Sequence, residues 1–129
     1  MLPEWPDGTV CVLATGAGAP HAIPVSTARR SGPDTIHLAL ALSRESLARL
    51  RGNPRCALTV HAPGITVTAH ARATVVEEDD RLAYLRLDVE SVQDHGQPTF
   101  EIDDGVRWHW TDDEAQAADA AVRARLREL

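Results

Sequence analysis

The chain has 129 residues, of which 43% are hydrophobic, and its formal net charge at pH 7 is −6. This length predicts one domain with a substantial core, and no apolar run reaches the roughly 18–20 residues of a membrane helix. The arginines are spread along the chain and form no basic stripe, which argues against nucleic-acid binding. The N-terminus lacks the basic and apolar regions of a signal peptide, so we expect a cytoplasmic protein.

All 13 basic residues are arginine, and the sequence contains no lysine. A lysine Schiff base is therefore excluded, and with it ordinary pyridoxal-phosphate catalysis. Cys11 and Cys56 lie in apolar patterns, and no Cys-x-x-Cys pair occurs. We expect two buried thiols, not a disulfide or a redox pair. The six histidines lack the spacing of a metal site, so no metal is expected.

Apolar runs and alternating patterns predict six strands. They cover residues 10–15, 21–28, 35–42, 55–60, 65–77 and 82–92. Pro24 interrupts the second strand, which indicates an edge, a bulge or a break that faces a ligand. Short strand-like pieces are also expected at 100–102 and 106–110. Because hairpin turns join most of these strands, we predict a mainly β fold, an antiparallel barrel with helical additions.

The stretch 43–60 contains a predicted two-turn helix, about 43–52, that leads directly into a strand. Ser43 is a suitable N-cap, since its hydroxyl can accept from free N–H groups of the first turn. Further polar side chains near the helix start are Arg44, Ser46 and, one turn later, Arg49. Free N–H groups, hydroxyls and a guanidinium at a helix start suit a phosphate monoester. An ordinary capped surface helix with solvated arginines explains the same residues.

A second helix is predicted at 111–129. Thr111 caps it, and Glu114 completes a capping box. Apolar residues at helical spacing give this helix one face for the core or for a dimer contact. With residues 1–9 as a lead-in and a barrel over 10–110, the whole chain 1–129 forms a single domain.

Two groups of residues are candidates for binding a planar ring. The second strand, from His21 to Thr27, carries backbone groups and hydroxyls that could face such a ring. Trp108 and Trp110 alternate with His109, so they would share one face of a strand and could stack on the ring. A tryptophan pair in the core explains the same pattern. No side chain presents itself as an obligatory general acid or base.

Four pieces of sequence occur in a familiar order and spacing. They are Val12-Leu13-Ala14-Thr15, Pro20-His21-Ala22-Ile23-Pro24-Val25, residues 43–50, and Asn53-Pro54-Arg55-Cys56-Ala57-Leu58-Thr59-Val60. Through them, residues 10–76 resemble the pyridoxamine 5'-phosphate oxidase-like family of flavin-binding split barrels. The resemblance implies a six-stranded split barrel that forms a homodimer, with two molecules of flavin mononucleotide (FMN) held between the subunits.

The resemblance also implies roles for particular residues. The phosphate would be held near the first helix by Ser43, Arg44, Ser46 and Arg49. The second strand would run beside the flavin ring with Pro24, Val25, Ser26 and Thr27. The end of the third strand would lie next to the ring with Leu40, Ala41 and Leu42. Trp108 or Trp110 of the partner chain would cover the ring.

The chain departs from the family in two ways. Many relatives hold the phosphate with a lysine, and true pyridoxamine phosphate oxidases hold their substrate with an arginine-rich C-terminal segment; neither is present here. We therefore predict an FMN-dependent oxidoreductase that acts on a different small molecule. Two alternatives stay open: a reductase that uses the deazaflavin F420, and a non-catalytic flavin- or haem-binding protein for storage or sensing.

Overall fold

The computed structural model describes residues 1–129 as one antiparallel sheet and two helices. Its strands are β1 (Cys11–Thr15), β2 (His21–Val25), β3 (Arg29–Gly32), β4 (Thr35–Ala41), β5 (Arg55–Ala62), β6 (Ile65–Glu78) and β7 (Leu82–Asp94). Helix α1 (Glu45–Gly52) follows β4, and α2 (Asp113–Glu128) is the last element. The predicted mainly β, antiparallel split-barrel class is confirmed, with seven strands in place of six. Neither helix is long and apolar enough to cross a membrane.

The strand order is β2-β1-β5-β6-β7-β4-β3, so β2 and β3 form the two edges of the sheet. Only residues 26–28 separate these two edge strands along the chain. Because each residue spans at most about 3.3–3.6 Å, the sheet must curl until its edges lie close together. No backbone ladder joins β2 to β3, and the gap between them is the split of the barrel.

The additional strand, β3, lies between the strands predicted at 21–28 and 35–42. Arg29 pairs with His37 and Arg30 with Ile36, and a bulge follows before Gly32. This sequence has no apolar alternation because its strand is at an edge, where charged residues are common.

The strand-like pieces expected at 100–102 and 106–110 are wrong. Residues 95–112 form an irregular segment, here called the arm, whose one sheet-like contact is an isolated bridge between Gln97 and Phe100. Aromatic and β-branched residues suggested strands here, but Val106 is 64% exposed and makes no backbone pair with any strand of the sheet.

Both predicted helix caps are displaced by one residue. Arg44, not Ser43, is at the N-cap of α1, and it makes no side-chain capping bond. At α2, Asp112 replaces Thr111 as the cap, and its carboxylate accepts from the backbone N–H groups of Glu114 (2.7 Å) and Ala115 (3.3 Å). A carboxylate is favoured over a hydroxyl here because its negative charge interacts with the positive end of the helix dipole.

Alternate residues of the strands point into the barrel and form its core. The fully buried side chains include those of Leu13, Ile36, Leu38, Leu58, Leu85 and Leu87. Cys11 and Cys56 are buried free thiols, as predicted. Burial raises the pKa of each thiol to about 12, so both behave as small apolar groups.

We expect Leu85→Ala to lower the free energy of unfolding by about 2–5 kcal/mol, because it leaves a cavity among packed strands. Leu85 is fully buried on β7. Urea unfolding followed by tryptophan fluorescence measures the change. Val76→Ala on β6 is the control, since this side chain is 38% exposed and its loss should cost much less. Equal effects of the two substitutions would contradict the assignment of the core.

Candidate functional site

A cavity of about 740 Å³ lies at the split of the barrel. It extends from the end of β2 and the 26–28 link to the end of β4, and α2 lies over it. Cavities of roughly 300–1,000 Å³ with mainly apolar walls are typical of small-molecule sites. The split is therefore the best candidate for a binding site.

Four parts of the chain line the cavity. The β2 side provides Pro24, Val25, Ser26 and Thr27; the β4 side provides Ala39, Leu40, Ala41 and Arg44; the β6–β7 turn and the start of β7 provide Asp79, Arg81, Leu82 and Tyr84. The cover consists of Trp110 with Ala115, Ala118, Asp119, Ala121 and Val122. Most of these side chains are apolar, so the cavity suits a flat, largely apolar ring with a few polar attachments.

The structure brings together eight of the thirteen site residues proposed from the sequence. Those that line the cavity are Pro24, Val25, Ser26, Thr27, Leu40, Ala41, Arg44 and Trp110. Those that do not line it are Leu42, Ser43, Ser46, Arg49 and Trp108. The first helix therefore does not present its four proposed phosphate-binding residues together. Arg44 reaches the cavity, whereas Ser43, Ser46 and Arg49 do not.

Ser46 and Arg49 hold α1 against the turn between β1 and β2. The Ser46 hydroxyl is fully buried, 3.0 Å from Nε2 of His21. Nδ1 of the same imidazole is 3.2 Å from the Glu45 carboxylate. Arg49 donates to the carbonyls of Ala17 and Ala19 and to Glu45. Apart from Glu45, these partners lie 25–32 residues away in sequence, so the local pattern of the helix could not indicate them.

Trp108 and Trp110 do not share a strand face, contrary to the sequence-based expectation. Their rings meet edge to face, with centroids 5.2 Å apart and planes at 87°. Nε1 of Trp108 donates to the carbonyl of Gly8 at 2.8 Å, which fixes the arm to the N-terminal lead-in. Trp110 lines the cavity of its own chain, whereas the family resemblance implied an aromatic cover from the partner chain.

The remaining two predicted residues lie at the surface near the start of α1. Leu42 is 39% exposed, and Ser43 is also exposed. Leu42 borders a separate shallow depression together with Arg51 and Glu78, and these two form an ion pair with each other.

Two arginines and two aspartates line the cavity. Arg44 and Arg81 have no carboxylate partner, whereas Asp119 pairs with Arg123 at 2.7 Å. The Asp79 carboxylate accepts from the backbone N–H groups of Arg81 and Leu82, each at 2.8 Å, and these bonds lower its pKa. Two free guanidinium groups can bind a phosphate or carboxylate. No group of three or more histidine, cysteine or acidic side chains is arranged to bind a metal.

Thr27 connects the two sides of the split. Its hydroxyl accepts from the backbone N–H of Ala39 at 3.0 Å and donates to the carbonyl of the same residue at 3.2 Å. This pair of bonds attaches the 26–28 link to β4, next to the last pair of the β3–β4 ladder, Arg29 with His37. Since β2 pairs with β1 alone, its other edge has no strand partner.

Helix α2 is attached to both sides of the cavity. Arg123 donates to the Ser26 carbonyl at 2.9 Å on the β2 side. Arg125 makes two bonds to the Glu77 carboxylate on β6, and these bonds lower the pKa of Glu77. Leu126 is the buried residue of α2. The cavity therefore has a fixed cover supplied by its own chain.

Sequence reasoning missed the β6–β7 turn and the inner face of α2. Asp79, Arg81 and Tyr84 come from an acidic turn and a predicted strand with no motif. The alanines of α2 indicated a packing face but not what it packs against. Only the folded arm places this helix over the split, so no local signal was present.

Comparisons with known proteins agree with this fold. A family model described as pyridoxamine 5'-phosphate oxidase matches residues 3–119. No curated protein matches the sequence. Among solved structures, BorF, the flavin reductase component of a bacterial two-component tryptophan halogenase, superposes with a TM-score of 0.61 at 11% identity, covering 70% of this chain and 81% of that chain.

Two further structures show the same likeness. A FAD-binding protein from Mesorhizobium loti has a TM-score of 0.54 at 17% identity, covering 65% of this chain and 81% of that chain. An F420 reductase has a TM-score of 0.55 at 10% identity, covering 67% and 90%. At such low identities, the likeness concerns the fold.

Acid should loosen α2 through Glu77. Because Arg125 lowers the pKa of this carboxyl below its ordinary value of 4.5, the pair contributes stability above pH 4.5 that is lost as the pH falls through the lowered pKa. We expect Glu77→Gln to increase hydrogen exchange in α2 at neutral pH. The difference from the wild type should shrink in acid.

Glu101→Gln is the control for this prediction, since Glu101 is exposed on the arm and makes no ion pair. Exchange in α2 that is the same in wild type and Glu77→Gln at neutral pH would contradict the role given to the Arg125–Glu77 pair.

Proposed function

Because the chain belongs to the pyridoxamine 5'-phosphate oxidase family, we propose that the cavity at its split binds FMN and that the protein is an oxidoreductase acting on a small molecule. The observation that carries this proposal is the position of two unpaired arginines, Arg44 and Arg81, on an otherwise mainly apolar cavity. An anionic tail and a flat ring are the two parts of a flavin mononucleotide that these surfaces complement.

The phosphate end of the site is assigned to Arg44 and Arg81. Arg44 is at the N-cap of α1, where the positive end of the helix dipole also favours an anion. The chain has no lysine that could bind the phosphate together with Arg44, so we propose that Arg81 supplies the second positive charge. Neither guanidinium must break an existing ion pair before it binds a phosphate.

The ring end of the site is assigned to β2, β4 and the cover. Pro24 and Val25 offer the free edge of β2, and Leu40 and Ala41 form the opposite wall. Trp110 and the alanine face of α2 exclude water from above. A bound flavin supplies the hydride chemistry, while the protein provides binding, orientation and a partly dry cavity. The reaction of pyridoxamine phosphate oxidase itself is not proposed.

We also propose that the protein is a homodimer, as the family resemblance implies, with the cofactor near the subunit interface. Val12 on β1 is 44% exposed, and the paired Pro24 on β2 is also exposed. An apolar outer face next to the split is suited to pack against a second copy. Because Trp110 covers the cavity of its own chain, the partner is not required to supply that residue.

A reductase that uses F420 is the second candidate. Its support is the structural likeness to an F420 reductase together with the free arginines, which suit a longer anionic tail as well as a phosphate. Competition between FMN and F420 for the purified protein separates the two candidates, since both would occupy the same cavity.

We expect Arg44→Ala to weaken FMN binding by about 1.5–3 kcal/mol, the typical contribution of a hydrogen bond to a charged group. Titration followed by quenching of flavin fluorescence measures this change. Arg55→Ala is the matched control, because Arg55 is also without an ion-pair partner but lies outside the cavity. Equal affinities of wild type and Arg44→Ala for FMN would contradict the assignment of Arg44 to the binding site.

The absorption spectrum of the purified protein tests the cofactor directly. We expect a bound-flavin spectrum, or binding of added FMN at micromolar concentration. Reduction of the bound flavin by a nicotinamide donor would support an oxidoreductase, and tight binding without reduction would favour storage or sensing. A protein that ignores FMN but binds F420 would overturn the first candidate in favour of the second.

A further inference from the structure

Tyr84 is the sole tyrosine of the chain, and it lies on β7 in the wall of the cavity. The residue is buried, with an exposure of 5%. The hydroxyl nevertheless makes no hydrogen bond within the chain, although buried hydroxyls of this kind usually find a partner. The one sealed side-chain polar atom without a partner is Oγ1 of Thr15, so the Tyr84 hydroxyl is open to space beside it.

The surroundings of Tyr84 keep its hydroxyl protonated. Burial raises its pKa, and the negative charges of Asp79 and Glu77 raise it further, while Arg125 on α2 acts in the opposite direction. Around neutral pH the group is therefore a neutral O–H donor. Two backbone N–H groups of its turn both donate to Oδ1 of Asp79, and the Tyr84 hydroxyl makes no hydrogen bond to this carboxylate, so the tyrosine is a donor without an acceptor in the chain.

We propose that the Tyr84 hydroxyl donates a hydrogen bond to a carbonyl or ring-nitrogen acceptor of the ligand in this cavity, and that it thereby selects ligands whose ring carries an acceptor at that position. This inference rests on the proposed function, because it assigns a polar contact to the ring end of the same site. Arg44 and Arg81 bind the anionic end by charge, which does not distinguish one ring from another. The tyrosine supplies a contact that depends on the ring itself.

A donor in this position has an energetic consequence. A ligand without the acceptor would leave the hydroxyl unpaired after the cavity loses its water, and an unpaired buried polar group is costly. A ring that carries carbonyl groups satisfies the donor, whereas a purely hydrocarbon ring of the same size does not. The selectivity therefore comes mainly from the weaker binding of rings that lack the acceptor.

The test uses FMN as the probe, with the wild type, Tyr84→Phe and Ser91→Ala. Phenylalanine keeps the ring and removes only the hydroxyl, so we expect about tenfold weaker binding of FMN. Ser91 is an exposed serine on the same strand, and deletion of its hydroxyl should leave the affinity within about twofold of the wild type.

A second measurement does not depend on any variant. Because the chain has one tyrosine, the Cζ resonance of isotope-labelled tyrosine reports this hydroxyl alone in NMR spectra. FMN should move the ionisation midpoint of Tyr84 to higher pH, since an O–H that donates to a ligand is harder to deprotonate. A tyrosine whose hydroxyl lies away from the bound ligand would show the same midpoint with and without FMN.

The outcomes separate this inference from the proposed function. Wild-type protein that fails to bind FMN overturns both. Wild-type protein that binds FMN, with Tyr84→Phe of equal affinity or with an unchanged ionisation midpoint, overturns the role of Tyr84 alone. Weaker binding by Tyr84→Phe together with a raised midpoint in the wild type supports it.

Discussion

The short link between β2 and β3 is the constraint on which the rest of this structure depends. These strands are the opposite edges of one sheet, yet only residues 26–28 join them. The sheet must therefore curl, and the edges meet without a shared ladder. The hydroxyl of Thr27 makes two bonds to the Ala39 backbone and so attaches this link to β4. The resulting gap contains the cavity, so the candidate site is a direct consequence of how the barrel closes.

The C-terminal part of the chain, from the arm onward, supplies the cover of the cavity. The arm leads from β7 to α2 and is fixed to the lead-in by the bond from Trp108 to Gly8. Gly105 of the arm lies against the end of β5. An added Cβ would come within 2.6 Å of the His61 carbonyl oxygen, so only glycine fits there. Through these contacts the arm determines where Trp110 and α2 lie, and the cover is as much a part of the fold as the barrel.

The electrostatics of the site follow from which charges are already satisfied. Most arginines of this chain have carboxylate partners, including those that attach α2 at Glu77 and Asp7. Arg44 and Arg81 do not, and both lie on the cavity. In contrast, Ser46 and Arg49, which share a helix with the N-cap residue Arg44, are engaged with the β1–β2 hairpin. Arg44 and Arg49, which look alike in sequence, thus differ in whether their guanidinium groups are already engaged.

The sequence by itself determined the family, the mainly β class and most of the strand positions, because alternation of apolar residues is a local property. It also placed Pro24, Thr27, Leu40 and Arg44 in one candidate group, since the family resemblance relates strands that are distant in sequence. The edge strand β3 was missed because its charged residues carry no alternation, and the arm was misread because exposure cannot be read from residue type alone.

Only the tertiary structure decided which polar groups remain free. Whether Arg49 meets a ligand or the carbonyls of Ala17 and Ala19 depends on a contact between distant segments. The same holds for Tyr84, whose unpaired hydroxyl is visible only once α2 and the β6–β7 turn surround it. Local sequence patterns specify the elements and their inward faces, whereas the partners of each polar group are settled by the packing of the whole chain.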